Sequence, residues 1–105
     1  MGDPGQPFVD AYLTFVADMR GRYPTALIYL ATSPMMGEPD HGVQKGYLQS
    51  ILDQRKAGGD TNIKLLDFAT QDMADGLGCD WHPNLTTHQK MAGVMTAAIQ
   101  SDLGW

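Results

Sequence analysis

Asp80-Trp81-His82-Pro83 is the stretch of this 105-residue chain whose residue types could do chemistry together. In an extended loop, residues two apart face the same side. Asp80 and His82 are then expected to share one pocket while Trp81 points away. A carboxylate beside an imidazole fixes the ring's tautomer and favours the imidazolium that forms during proton transfer. The pair amounts to two-thirds of a hydrolytic triad, with His82 as general base and Asp80 as its orienting partner. The plainer reading is a capped turn ahead of a helix.

A nucleophile has few sources. Ser33, which follows an apolar run and precedes Pro34 and Met35, either supplies a hydroxyl or simply ends a strand. Cys79 is either a thiol activated by the imidazole or a small buried residue, since neighbouring side chains of an extended loop point apart. Ser50 and Ser101 fall within helical patterns and are expected to face solvent. Trp81 is either a flat platform for a sugar ring or a plug at the base of the loop. Asp40, His41, Asp80, His82 and His88 could be drawn into a metal site. No two of the histidines have the i, i+4 helical spacing of a zinc protease, so no metal and no cofactor is expected. His88 is expected to pack or cap locally. Met35-Met36, an apolar pair in a loop, lines a pocket, lines an interface or fills a gap. Asn84-Leu85-Thr86 is a glycosylation sequon, read as incidental.

These residues need elements to hold them. Phe8, Tyr12, Phe15, Val16 and Met19 recur at helical spacing, which predicts a helix from Pro7 to Arg22, ended by Tyr23-Pro24. Ala26 to Ala31 is a nearly unbroken apolar run, suited to a strand buried on both faces. Thr32 to Gly42 reads as a long loop. Val43, Tyr47, Leu48, Ile51 and Leu52 predict a second helix, closed by Ala57-Gly58-Gly59. Ile63 to Phe68 predicts a second strand, and Gln71 to Asn84 a polar loop. Thr86 with Gln89 reads as a capping box for a last helix carrying Met91, Val94, Met95, Ala98, Ile99 and Leu103. The alternation implies an α/β fold with about two parallel strands and three to four helices. Two strands leave sheet edges uncovered. Residues 1–105 are therefore expected to form a single incomplete domain, completed by a homo-oligomer that pairs through the open sheet edge.

Composition narrows the partners. Seven Lys and Arg against twelve Asp and Glu give a net charge of -5, with no basic cluster, so nucleic acid is not an expected partner. No apolar run approaches a membrane span, and no membrane partner is expected. Met1 to Asp10 shows no leader pattern, which leaves the location open. One cysteine excludes an internal disulfide and a cysteine metal cluster.

Gly78-Cys79-Asp80-Trp81-His82-Pro83-Asn84, followed by Thr87-His88 and Met91-Ala92, resembles the final block of SGNH (GDSL-type) hydrolases. The Asp-x-His spacing is closest to the carbohydrate-esterase branch that removes acetyl groups from plant polysaccharides. Gly2-Asp3-Pro4 and the helix behind it resemble the segment just after that family's Gly-x-Asn-Asp block. The resemblance implies a three-layer α/β/α, flavodoxin-like fold. It also implies that Asp80 and His82 are the acid and base of an ester hydrolase acting on acetylated carbohydrate or another small ester. The family's Gly-Asp-Ser block and its oxyanion-hole Gly and Asn have no match in these residues. The chain is thus expected to be a C-terminal half that keeps the acid and base and lacks the nucleophile, with Ser33 as substitute. Each missing oxyanion donor lowers the rate by about 10²–10³. The alternatives are an inactive, self-associating α/β module, and a carbohydrate-binding module that uses Trp81 without chemistry.

Overall fold

The computed structural model describes residues 2–105. Helix α1 (Gln6–Arg22) starts behind Gly5, whose φ of 63° lets the chain turn into the first helical residues, and carries Pro7 in its first turn. Strand β1 (Ile28–Ala31) follows, then helix α2 (Asp40–Ala57), strand β2 (Ile63–Leu66) and helix α3 (Leu85–Leu103). The two strands run parallel, with Ile28 opposite Ile63 and Ala31 opposite Leu66. The α/β class and the parallel pair match the expectation.

Alternation along the strands separates two faces. Ile28, Leu30, Ile63 and Leu65 pack with Val9 and Val16 of α1 and Leu48, Ile51 and Leu52 of α2, and this is the core. On the opposite face, the Tyr29 hydroxyl and the Lys64 ammonium both reach Asp102 of α3, at 2.6 and 2.5 Å. Two helices therefore cover one face of the pair and the third lies on the other. The Asp102 carboxylate is held below its usual range by Lys64 first and Tyr29 second.

Several boundaries differ from the sequence reading. The first strand begins at Ile28 rather than Ala26, because the Ala26 N–H turns back to the Tyr23 carbonyl. The second ends at Leu66, because the Phe68 N–H is taken by the Thr32 hydroxyl at 2.8 Å instead of a ladder carbonyl. Helix α2 starts three residues before Val43, the His41 N–H bonding the Gly37 carbonyl. The expected capping box is absent. Asn84 caps α3, its Oδ1 accepting from the Thr87 N–H at 3.3 Å, and Leu85 is already helical.

The opposite end of the sheet is tied by charge. Asp60, 8% exposed, takes the Nε and Nη2 of Arg20 and the Nη2 of Arg55, each at 3.1 Å. Arg20 also donates to the Tyr23, Ala26 and Asn62 carbonyls. One guanidinium thus joins the end of α1 to the entries of both strands.

The shape is a slab of 42 × 39 × 19 Å with a radius of gyration of 15.1 Å. A compact chain of this length has a radius of roughly 13 Å. The accessible surface is 6795 Å², whereas roughly 5,800 Å² suits a compact monomer of this mass. Phe15, Val94, Met95 and Leu103 are among the apolar side chains left exposed.

Candidate active site

All three helices have their N-termini at the C-terminal end of the strands, the rim where the loops of α/β proteins gather ligands. Three segments meet there: residues 2–5 before α1, 32–39 after β1, and 67–84 after β2. Hydrogen bonds stitch the last two. The Gln71 N–H donates to the Pro34 carbonyl at 2.7 Å, and the Thr70 hydroxyl to the Met36 carbonyl at 2.6 Å. Gln71 Nε2 then donates to the Trp81 carbonyl at 2.7 Å.

The segment bearing Asp80 and His82 is a tight turn rather than an extended loop. Leu77 pairs antiparallel with Pro83, and the Gly78 N–H donates to the His82 carbonyl at 2.8 Å. The His82 N–H closes on the Cys79 carbonyl at 3.0 Å. Asp80 (φ 52°) and Trp81 (φ 63°) occupy the two central positions, both left-handed, as in a type I′ turn. Asn84 anchors the base, its Nδ2 donating to the Asp75 carbonyl at 2.8 Å. Gly76 (φ 85°) leaves room for that amide, since a Cβ there would lie 2.8 Å from Asn84 Nδ2.

This geometry overturns the i, i+2 argument. Asp80 makes no hydrogen bond to His82 among the described residues. Instead, His82 Nδ1 lies 2.9 Å from the Cys79 carbonyl, which can only accept. The neutral ring therefore carries its proton on Nδ1 and presents a bare lone pair on Nε2. Nε2 has no hydrogen-bond partner among the described residues, and the side chain is exposed. A backbone carbonyl has taken the orienting position that sequence reasoning gave to Asp80. Only the turn type could have revealed it, because a carbonyl has no side-chain signature.

The other candidates are dispersed. Ser33 Oγ accepts from the Met35 N–H at 3.2 Å and makes no hydrogen bond to His82. Ser50 Oγ accepts from Gln54, and Ser101 is exposed on α3. Cys79 is exposed, not buried, because the turn projects from the rim. Trp81 is 68% exposed, so it does not plug the loop. His41 joins neither His82 nor His88. Its Nδ1 meets Glu38 at 2.9 Å and its Nε2 meets Asp67 at 2.8 Å. With both nitrogens on carboxylates, first Glu38 and then Asp67 raise its pKa above the ordinary value. This ion pair braces the 32–39 segment against the end of β2.

A left-handed tryptophan is unusual and costs about 1–2 kcal/mol. Trp81→Gly relieves that cost while adding some unfolded-state entropy. We expect a net gain of about 0.5–1 kcal/mol in a urea titration. A loss of stability would show that the indole is held by packing.

The parallel α/β layer that carries this turn is similar to part of known carbohydrate esterases. Nearly the whole chain matches family two carbohydrate esterases in both sequence and structure. One relative is the cellulase/esterase CelE of Acetivibrio thermocellus, 35% identical over 98 residues, which are 93% of this chain and 12% of that protein. A family two carbohydrate esterase from Clostridium thermocellum, solved in complex with cellohexaose, superposes with a TM-score of 0.90 at 35% identity, over 93% of this chain and 30% of that one. A family 2 carbohydrate esterase with a carbohydrate-binding domain, from Myceliophthora fergusii, superposes with a TM-score of 0.84 at 28% identity, over 99% of this chain and 34% of that one. The chain thus spans about a third or less of each relative's length. No family model matches it.

Proposed function

We propose that this chain supplies the general base of an SGNH-type ester hydrolase acting on acetylated carbohydrate. The observation that carries the reading is the His82 ring, fixed through Nδ1 by the Cys79 carbonyl with Nε2 open to solvent. Nε2 takes the proton of an attacking hydroxyl as its oxygen bonds the ester carbonyl carbon. It returns that proton to the sugar oxygen as the acyl C–O bond breaks. The hydroxyl must come within about 3 Å of Nε2. Ser33 and the other serines of this chain do not hold that position; in the chain alone a water fills it as the attacking hydroxyl, and a serine from another polypeptide segment fills it in a complete enzyme. The proposed role of Trp81, exposed one residue away, is to stack on the sugar ring. Cellohexaose bound to a relative supports a carbohydrate as the ligand class.

The test is hydrolysis of p-nitrophenyl acetate by the folded chain beside the same chain in denaturant. Saturable turnover above the denatured control supports the reading. A linear rate equal to that of free imidazole contradicts it for the chain acting alone.

A second reading, self-association, is favoured by the free edge of β1. Ile28 and Thr32 donate to the Asn62 and Leu66 carbonyls, which leaves the N–H and C=O of Tyr29 and Ala31 on the outer side. The surface excess of roughly 1,000 Å² is comparable with one partner's share of a standard interface, about 800 Å². Light scattering is expected to report a dimer that Ala31→Pro converts to monomer, because proline blocks strand addition at an edge. A wild-type monomer at high concentration contradicts this reading.

A further inference from the structure

We propose that a cavity between the N-termini of α1 and α2 binds a small organic cation, an ammonium group on an aromatic or alkyl body. The inference is independent of the ester chemistry at His82. The cavity holds about 380 Å³ and is lined by Gly2, Asp3, Pro4, Phe8, Met36, Asp40, Val43, Gln44 and Tyr47. Volumes of a few hundred Å³ suit small-molecule ligands. Phe8 and Tyr47 put their ring centroids 5.6 Å apart at 45°, so two aromatic rings border the space. Met36 and Val43, 38% and 40% exposed, complete an apolar wall that stays open to solvent.

The charges in this lining are all of one sign. Among the described residues, Asp3 and Asp40 are the charged ones, and no Lys, Arg or His side chain borders the space. Asp3 is fixed by the Tyr47 hydroxyl and the Gly5 N–H, which both hold it anionic. Asp40 has no hydrogen-bond partner among the described residues. Its place in the first turn of α2 suits the helix dipole, and that alone would explain an aspartate there. It would not explain a second carboxylate on α1's approach, nor two aromatic rings and an unfilled apolar volume between them. Gln44 Oε1 is occupied by the Ser33 N–H at 2.9 Å, so Asp3 Oδ2 and the Asp40 carboxylate are the side-chain acceptors left open among the described residues. Carboxylates rimming aromatic faces attract an ammonium through charge and through the ring quadrupole. The chain's net charge of -5 draws cations toward it in the same sense.

The experiment is an amide NMR titration of the whole chain with three matched probes: 2-phenylethylamine, 2-phenylethanol and 3-phenylpropionate. The amine is expected to saturate with a Kd of about 0.1–1 mM, ordinary for so small a ligand. The shifts should centre on Asp40, Val43, Gln44 and Tyr47. It should bind about tenfold more tightly than the propionate, and less tightly as salt rises. Asp40→Asn, at an exposed position, should weaken the amine about fivefold and leave the alcohol unchanged. Val43→Trp should fill the space and abolish the shifts for all three. Equal affinity for the three probes, an Asp40→Asn protein that binds the amine like wild type, or shifts that map elsewhere would each overturn the proposal.

Discussion

His82→Ala is expected to lower the saturable hydrolysis of an aryl acetate by about 10²–10⁴, the range a positioned general base contributes. Asp80→Asn is expected to lower it by less than about tenfold. The contrast between the two variants matters more than either number. In a triad whose carboxylate fixes the imidazole, losing that carboxylate's charge costs about 10⁴. Here Nδ1 is held by the Cys79 carbonyl at 2.9 Å, and no side-chain substitution deletes a carbonyl. Ser33→Ala is expected to leave the rate within about twofold of wild type, since Ser33 is engaged with the Met35 N–H and lies outside hydrogen-bond reach of His82. A loss of about 10³ or more in Asp80→Asn would mean that the turn rearranges to bring the carboxylate to the ring.

The largest stability effect is expected at Asp60. Its carboxylate is 8% exposed and meets both Arg20 and Arg55. Asp60→Ala leaves two guanidiniums facing one another without a counter-charge, a loss of about 3–5 kcal/mol. That is a large part of the total stability of a domain this size, about 5–10 kcal/mol. Guanidinium or urea unfolding checks it, and a loss under about 1 kcal/mol would show the cluster to be solvent-screened. The pH dependence has a definite sign. Burial raises the Asp60 pKa, but hydrogen bonds from Arg20, Arg55 and the Asn62 N–H outweigh it and hold the group below 3.8. A depressed carboxylate stabilises the fold above its unfolded pKa, and that contribution fades as pH falls through the folded value. Acid should therefore destabilise the wild type more than Asp60→Ala.

Much of the fold was legible in the sequence because apolar spacing reports burial directly. Val16, Leu48, Ile51 and Leu52 fall on the expected helical faces and pack on Leu30 and Ile63, whereas Val9, outside the expected face, is buried and Phe15, on it, is 59% exposed. The strand limits were less legible, since they depend on where the Tyr23 carbonyl and the Thr32 hydroxyl intercept the ladder. The α3 cap went to Asn84 because that side chain also secures the Asp75 carbonyl, a tertiary contact that local pattern does not encode. At the site, the place of His82 in the loop after the second strand was legible, whereas its exposure was not. The Asp80 geometry was not, because two consecutive left-handed residues reverse the side-chain alternation assumed for an extended loop. His41 was grouped with the wrong partners for a related reason. Glu38 and Asp67 reach it from three residues before it in sequence and from the end of the next strand.

The central claim is that the backbone of the 77–83 turn sets His82 as a base, with its proton on Nδ1 and its lone pair on Nε2. Long-range ¹H–¹⁵N NMR of the imidazole, with the ring neutral, reads that tautomer directly. The account predicts the Nδ1–H form in the wild type, unchanged in Asp80→Asn. A proton on Nε2, or an Nδ1–H form lost in Asp80→Asn, would contradict it.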